Sequence, residues 1–123
     1  MKFYICEHCK NIIGYLNNSG VKVHCCGDPM EELIPKTDEG ATEKHVPVVT
    51  IDGNKVTVKV GEVPHPMEEK HYIQWVALET KHGHQRKELK PGCDPVVEFM
   101  LCPDDEFVHA YAYCNIHSLY IDK

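Results

Sequence analysis

Short runs of alternating apolar and polar residues mark most of the chain beyond residue 46. The run KVTVKV at 55–60 places a valine at every second position. A period of two residues is typical of β-strands that have one buried face. The apolar run VPVVTI comes before it, and Asp52-Gly53 between the two runs is a turn signal. Together these features predict a β-hairpin.

Three further apolar runs predict more strands. They are YIQWVALET, which the turn-like KHGH follows, and then VVEFML and FVHAYAYCNI, which CPDDE separates. Short strands joined by turn-rich loops are typical of an antiparallel β-sandwich, and we expect no helix of useful length. The chain is therefore predicted to be all-β, with the sandwich in residues 37–123.

The first 36 residues form a smaller predicted domain. Segments below about 40 residues usually need a metal, disulfides or a partner in order to fold. This segment holds four of the seven cysteines of the chain. The polar run PKTDEGAT at 35–42 has no apolar periodicity and is typical of a linker. We predict two domains, residues 1–36 and 37–123, the first held together by its cysteines.

Composition and charge narrow the class of protein. With 42% hydrophobic and 26% charged residues, the 123-residue chain is typical of a globular protein. No apolar run approaches the ~20 residues of a membrane-spanning helix. The start MKFYICEHCK lacks the apolar core of a secretory signal, so we expect a cytoplasmic location and no membrane partner. A net charge of −6 with scattered lysines disfavours nucleic acid as a partner.

The seven cysteines and nine histidines favour bound metal. In a reducing cytosol thiols stay reduced, so a high cysteine count indicates metal ligands rather than disulfides. Neutral imidazole is also the commonest metal ligand. Cys93 and Cys102 stand apart from the other cysteines, and an extended segment between them would keep them too far apart for a disulfide. We expect both to be free thiols.

The cysteines of the N-terminal segment form a candidate tetrathiolate site. CEHC is a Cys-x2-Cys motif and HCCGDPM adds two adjacent cysteines, so that the candidate ligands are Cys6, Cys9, Cys25 and Cys26. Two such pairs can surround one zinc or iron ion tetrahedrally. The adjacent second pair departs from a zinc ribbon and predicts a distorted tetrahedron. The spacing leaves iron and zinc open, and a full thiolate set leaves His8 and His24 outside the coordination.

Histidines and one cysteine form a second candidate site. The candidates are His45 in EKHVPV, His65 and His71 in HPMEEKH, and Cys114 and His117 in CNIH. Alone, Cys114 would fit a buried apolar position, but the Cys-x2-His spacing lets both side chains reach one ion. Imidazoles with one thiolate favour a redox metal, and five ligands leave an octahedral ion one open position. We expect His82, His84 and His109 to be solvated.

Read in order, the motifs CEHC, CCGDPM, EKHVPV, HPMEEKHYIQW and CNIH resemble desulfoferrodoxin, the two-iron form of superoxide reductase. The resemblance covers nearly the whole chain. It implies a desulforedoxin-like, rubredoxin-like N-terminal domain with iron on the four cysteines. It also implies an immunoglobulin-like β-sandwich with a second, catalytic ferrous iron. The ligands of that iron would be His45, His65, His71 and His117 in a plane, with Cys114 as the axial thiolate.

The resemblance further implies a reaction and partners. Superoxide would be reduced by one electron to hydrogen peroxide, and an external donor such as rubredoxin would reduce the iron again. The mobile glutamate and the lysine of the family fall on Glu43 and Lys44. Lys44 would bring positive charge to the mouth of the site. Family members of this type are homodimers, and zinc in the four-cysteine site stays open.

Three other functions remain open on the sequence. A pure electron-transfer protein would use both metals only to shuttle electrons, although an open coordination position argues against it. A superoxide dismutase would release dioxygen as well as peroxide and would need no donor. A binding module held together by zinc in both sites would show no visible absorption, which distinguishes it from the iron proteins.

Overall fold

The computed structural model describes residues 1–37 and 44–123. Contacts between Cα atoms divide the chain into two compact units, Met1–Ile34 and Pro35–Lys123. Most of the predicted linker PKTDEGAT lies outside the described residues, and so does Glu43. In the described part of the chain there is no helix, and therefore none long and apolar enough to cross a membrane.

Five short strands build the N-terminal unit. β1 (Phe3–Ile5) pairs with β2 (Ile12–Ile13) and with β5 (Glu31–Leu33), and β3 (His24–Cys25) pairs with β4 (Asp28–Pro29). All three pairings are antiparallel. The buried residues of this unit are Ile5, Cys6, Met30 and Leu33. A core of this size is too small to hold a fold alone, so the unit needs a further constraint.

Two antiparallel sheets build the C-terminal unit. In spatial order, one contains β10 (Val96–Met100), β7 (Lys55–Val60) and β6 (Pro47–Asp52), and the other contains β12 (Ser118–Ile121), β11 (Phe107–Cys114), β8 (Ile73–Thr80) and β9 (Gly83–Glu88). The sheets share one hydrophobic core. The prediction of an all-β fold is therefore confirmed for the described residues.

The core of the sandwich lies between the inner faces of these sheets. Val56, Val58 and Val60 of β7 are fully buried, as the alternating pattern predicted. They belong to one cluster with residues of β8, β10 and β11, among them Ile73, Val76, Leu78, Phe99, Ala110, Ala112 and Cys114. Cys114 is thus fully buried at the end of β11, where water has no access to its thiol.

The turns differ slightly from the sequence prediction. In the β6–β7 hairpin Asp52 pairs with Lys55, so the two-residue loop is Gly53-Asn54 and not Asp52-Gly53. Gly53 takes the positive φ of 61° that this tight turn requires. The predicted turn KHGH is also wrong in extent, because Gly83 and His84 already pair with β8 as the start of β9.

A β-bulge lies where β8 and β11 approach the histidine cluster. Tyr113 pairs with Trp75 and Cys114 with Ile73, so that Gln74 is passed over in the register. A bulge re-aims the side chains on one side of it. Here it keeps the buried Ile73 opposite the buried Cys114.

Candidate metal centres

The four cysteines of the N-terminal unit converge on one point. The Sγ atoms of Cys6, Cys9, Cys25 and Cys26 all lie within 4.8 Å of one another. The Sγ atoms of Cys9 and Cys25 are 3.6 Å apart. Sulfurs bound at ~2.3 Å to one tetrahedral ion would be about 3.8 Å apart. The spacing therefore fits a single ion between the four thiolates.

The backbone explains why two adjacent cysteines can face the same ion. Cys25 pairs with Asp28 across the β3–β4 hairpin, which leaves Cys26 and Gly27 as its two-residue loop. Their φ angles are 53° and 83°. Two consecutive positive φ angles are what a type I′ turn requires. The tight turn places both sulfurs within reach of Cys6 and Cys9.

The four thiols share hydrogen bonds, and these shift the pKa values of Cys6 and Cys26 in opposite directions. Chiefly the backbone N–H of Cys9 favours the Cys6 thiolate and lowers the pKa of Cys6 to about 6, although burial opposes it. Chiefly the hydrogen bond with the Cys9 side chain raises the pKa of Cys26 to about 12. The sulfurs thus lie too close together for all to ionise without a cation. Metal binding here must release protons.

His8 and His24 take no part in this cluster. Nε2 of His8 lies 2.6 Å from Oδ2 of Asp28, and Nδ1 of His24 lies 3.3 Å from the carbonyl oxygen of Lys22. Neither histidine belongs to a group of converging ligand atoms in the described part of the chain.

The second cluster gathers the predicted histidines and one cysteine. The ligand atoms of His45, His65, His71 and Cys114 lie within 4.8 Å of one another. His117 is not in that set of mutual distances, but it contacts two of its members. Its Nδ1 lies 3.0 Å from Nε2 of His45 and 3.8 Å from Sγ of Cys114. The structure therefore brings all five predicted residues together.

The four imidazole rings are arranged in a closed quadrilateral. Centroid distances along its sides are 4.5 Å from His45 to His65, 4.7 Å from His65 to His71, 5.1 Å from His71 to His117 and 4.8 Å from His117 to His45. The diagonal from His45 to His71 is longer, at 6.2 Å. Neighbouring rings are inclined by 69° to 82°. This arrangement leaves one central point that all four rings surround.

Cys114 and His117 are brought to the cluster by one tight hairpin. Cys114 ends β11 and pairs with Ser118, the first residue of β12, so that the loop contains Asn115, Ile116 and His117. Ser118 has a positive φ of 75°, as the residue that closes a three-residue hairpin often does. The backbone N–H of His117 points at Sγ of Cys114, 3.5 Å away. This contact ties the backbone of the loop to the cysteine side chain.

His65 and His71 stand at the two ends of one loop. The backbone groups of Glu68 and His71 exchange hydrogen bonds of 3.0 Å in both directions, which folds the second half of the loop into a small turn. Nδ1 of His65 donates to the carbonyl oxygen of Pro66 at 2.7 Å. A proton held on Nδ1 leaves Nε2 as the metal-binding nitrogen, and that Nε2 is buried.

Gly61 allows the two histidine segments to approach each other. Its φ is +85°, and a Cβ at this position would lie 2.4 Å from the carbonyl oxygens of both Lys44 and Val63. Its N–H also donates to the carbonyl oxygen of Val46 at 3.1 Å. The close contact brings the chain that carries His45 against the turn before His65. Sequence reasoning missed Gly61, since a glycine after a strand reads as an ordinary turn residue.

The residues present fit a transition metal with nitrogen and sulfur ligands. Nε2 of His71 is buried, and no described residue is its hydrogen-bond partner. Burial first, and then the neighbouring His117, lower the pKa of His71, so that the imidazole is neutral at neutral pH. A neutral imidazole beside a buried thiol is a good ligand set for iron, zinc or copper. The cluster has a buried side at Cys114 and an exposed side at His117.

The remaining predicted residues lie as follows. Lys44 is half-buried beside His45, and its charge also lowers the pKa of His71. Nε2 of His82 lies 3.2 Å from the carbonyl oxygen of Asp104, and Nδ1 of His109 lies 3.1 Å from Oδ1 of Asp122. Exposed residues outside both clusters include His82, His84, His109, Cys93 and Cys102. The last two are free thiols, as predicted.

An all-β chain with a tetrathiolate cluster and an imidazole–thiolate cluster has close relatives among known proteins. The profile of the family Desulfoferrodoxin matches residues 37–123. A desulfoferrodoxin homolog of Archaeoglobus fulgidus is 47% identical over 120 residues, which cover 98% of this chain and 94% of that one. A desulfoferrodoxin of Nitratidesulfovibrio vulgaris is 45% identical over 116 residues, or 94% and 90% of the two chains.

A solved structure is similar over the same length. The crystal structure of the superoxide reductase from Treponema pallidum aligns with a TM-score of 0.85 at 36% identity, covering 99% of this chain and 97% of the other. The chain belongs to the desulfoferrodoxin family, and the resemblance in its motifs is confirmed. Its cysteine cluster and its histidine cluster each bring together ligand atoms that could hold a metal ion.

Proposed function

We propose that the protein is a superoxide reductase. It would transfer one electron to superoxide, which takes up two protons and becomes hydrogen peroxide. The observation that carries the proposal is the quadrilateral of His45, His65, His71 and His117, with the buried thiol of Cys114 within reach of its ring nitrogens. The similarity to a superoxide reductase of Treponema pallidum supports it.

The five side chains would hold one iron ion. When bound in the ferrous form, this iron would supply the electron and one open coordination position. An imidazole that binds a metal does so as a neutral ligand, so the four rings would leave the positive charge of the ion available to an incoming anion. Cys114 would be a ligand that no water reaches, and the N–H of His117 would donate to its sulfur. The exposed side at His117 gives a small molecule access.

Lys44 would attract the substrate. The net charge of −6 repels an anion at long range. Lys44 adjoins His45, and its positive charge lowers the pKa of His71, so its field reaches the centre of the cluster. Glu43 lies outside the described residues. On the resemblance we propose it as a carboxylate that acts after peroxide has formed.

The four-cysteine site would hold a second iron. Its four thiolates would hold the ion, which as iron would supply a redox centre able to relay an electron from a rubredoxin-like donor, while zinc would leave the site purely structural. We further propose that the protein works as a homodimer. These proposals rest on the resemblance to desulfoferrodoxins and on the convergence of the four sulfurs.

Product stoichiometry under anaerobic conditions tests the reaction. The fully reduced, iron-loaded protein is mixed with a known amount of superoxide, and hydrogen peroxide and dioxygen are measured. A reductase forms one peroxide for each superoxide and no dioxygen, with one iron oxidised per event. Dioxygen in an amount equal to the peroxide would indicate a dismutase instead. Iron that is oxidised by other acceptors but not by superoxide would indicate an electron-transfer protein.

A further inference from the structure

The side chain of Asn115 reaches both peptide groups that flank His71. Its Oδ1 accepts a hydrogen bond from the backbone N–H of Tyr72 at 2.9 Å. Its Nδ2 donates to the carbonyl oxygen of Lys70 at 3.0 Å. The backbone N–H of Asn115 adds a bond to the carbonyl oxygen of Tyr72 at 3.2 Å. One amide group thus holds the chain on either side of His71.

These bonds join two segments that carry ligands. Asn115 follows Cys114 directly and lies in the same three-residue loop as His117. Its partner Tyr72 is 43 residues away in sequence. The ring nitrogen Nε2 of His71 has no hydrogen-bond partner among the described residues, whereas the backbone on both sides of His71 is bonded to Asn115.

We propose that Asn115 is a positioning residue, which fixes His71 relative to Cys114 and His117 before metal binds. The proposal rests on the function proposed above, because it concerns the same metal site. Ligands held at the correct spacing in advance bind an ion more tightly and release it more slowly. Asn115 itself touches neither the ion nor superoxide.

The alternative is that Asn115 serves only as a turn residue. Asparagine is favoured in turns, but aspartate and serine are favoured there as well. A turn residue therefore tolerates Asn115→Asp and Asn115→Ser. A positioning residue that bonds both peptide groups does not tolerate serine, because serine is too short to reach both. Aspartate keeps the acceptor for Tyr72 but places a second oxygen against the carbonyl oxygen of Lys70.

The test uses the full-length, iron-loaded protein. Release of iron to a chelator is followed separately for the two sites by their visible absorption, together with the electron paramagnetic resonance signal of the ferric histidine site. We expect Asn115→Ser to release the iron of the histidine site about 10-fold faster than wild type, in line with the effect of removing a supporting hydrogen bond. Its resonance signal should broaden. The rate of iron release from Asn115→Asp should lie between the rates of wild type and Asn115→Ser.

Two controls separate positioning from general stability. The iron of the four-cysteine site should be released at the wild-type rate in every variant. Asp105→Ala removes a carboxylate that accepts bonds from the Thr80 hydroxyl and from the N–H groups of His82 and Glu106, away from the ligands. It should lower the melting temperature without faster release of iron.

The outcomes distinguish this proposal from the proposed function. Equal release rates and signals for wild type, Asn115→Ser and Asn115→Asp would overturn the positioning role of Asn115, whether or not the protein reacts with superoxide. If Asn115→Ser does not fold, Asn115→Asp, which keeps one of the two side-chain bonds, decides the question. Wild-type protein that binds iron but does not react with superoxide would overturn the proposed superoxide reductase function. The release rates would still decide whether Asn115 positions His71.

Discussion

The ring of Tyr120 stacks on the imidazole of His45, with centroids 4.7 Å apart and planes inclined by 20°. Lys36 contacts both Tyr120 and His117. Its Nζ lies 5.5 Å from the centre of the Tyr120 ring and donates to the carbonyl oxygen of His117 at 3.0 Å. Two proposed ligands, His45 and His117, are thus oriented by residues that bind no metal.

Replacing Tyr120 tests the importance of the stacked ring. Tyr120→Leu removes the flat surface against His45, so the imidazole gains freedom to rotate. We expect the absorption band of the ferric histidine site to shift and its iron to be lost several-fold faster to a chelator, in the range known for supporting residues of metal sites (~10-fold). Tyr120→Phe keeps the ring and should behave like wild type. A leucine variant with the wild-type band and release rate would rule out this role.

Gly61 should be intolerant of any side chain. In Gly61→Ala the Cβ would meet two backbone oxygens at 2.4 Å, and φ is +85°. Backbone strain of this kind costs roughly 1–3 kcal/mol of unfolding free energy, and the shift of Lys44 and Val63 should also disturb His45 and His65. Denaturant unfolding and the iron content of the histidine site measure the two effects.

Gly53 offers the matched control for Gly61. It also has a positive φ, at 61°, but its Cβ would meet nothing within 4 Å. Gly53→Ala should therefore cost only the left-handed backbone penalty of about 1–2 kcal/mol and leave the iron in place. Equal losses of stability and of iron in the two variants would show that the contact with Lys44 is unimportant.

Asp105 makes the stability of the sandwich depend on pH. Burial raises the pKa of Asp105, but hydrogen bonds from the Thr80 hydroxyl and from the N–H groups of His82 and Glu106 outweigh it, so that the pKa is lowered. A lowered pKa in the folded state stabilises the fold above the unfolded value of ~3.9. This contribution is lost as the pH falls through the folded-state pKa.

Denaturant unfolding of Asp105→Asn between pH 3 and 7 measures this contribution. The variant should be less stable than wild type at neutral pH, and the difference should shrink below about pH 4. Both proteins have the same metal ligands, so the difference between them isolates the carboxylate. Asp104→Asn is the control, since Asp104 is 82% exposed, and it should follow wild type throughout. A difference independent of pH would contradict the assignment.

Lys44 should set the rate at which superoxide reaches the site. A local positive field can raise the association rate of an anion ~10- to 10³-fold, and it weakens as salt increases. Lys44→Ala should therefore react with superoxide several-fold more slowly, with a flatter dependence on ionic strength. Lys70→Ala should have a weaker effect, because Lys70 is exposed and solvent screens its charge more than that of the half-buried Lys44. Identical rates and salt slopes for Lys44→Ala and wild type would exclude a steering role.

Part of the fold could be predicted from the sequence. The alternation of Val56, Val58 and Val60 marks a strand with one buried face, and the structure confirms it. β9 was missed because its sequence, GHQRKE, is polar and almost entirely exposed at the edge of its sheet. A strand without a buried face has no apolar period to detect. Its hydrogen bonds come from β8, which the local sequence does not reveal.

The members of the two clusters could be predicted from the sequence, but the residues that support them could not. Histidines and cysteines at short spacing carry their chemistry in the residue type, which is why the members of both clusters were found. Asn115, Tyr120 and Gly61 act through contacts with distant segments, for example Asn115 with the chain around His71. Such contacts depend on the tertiary fold, and each residue type is common elsewhere in proteins.

The central claim is that iron held by the four histidines and Cys114 reduces superoxide. Pulse radiolysis of the ferrous, iron-loaded protein tests it most directly, with metal content verified beforehand. We predict that superoxide oxidises this iron in a reaction first order in each partner, and that a band from the thiolate of Cys114 appears. Cys114→Ser should lack that band. Wild-type protein with ferrous iron in the histidine site that superoxide leaves unoxidised would contradict the account.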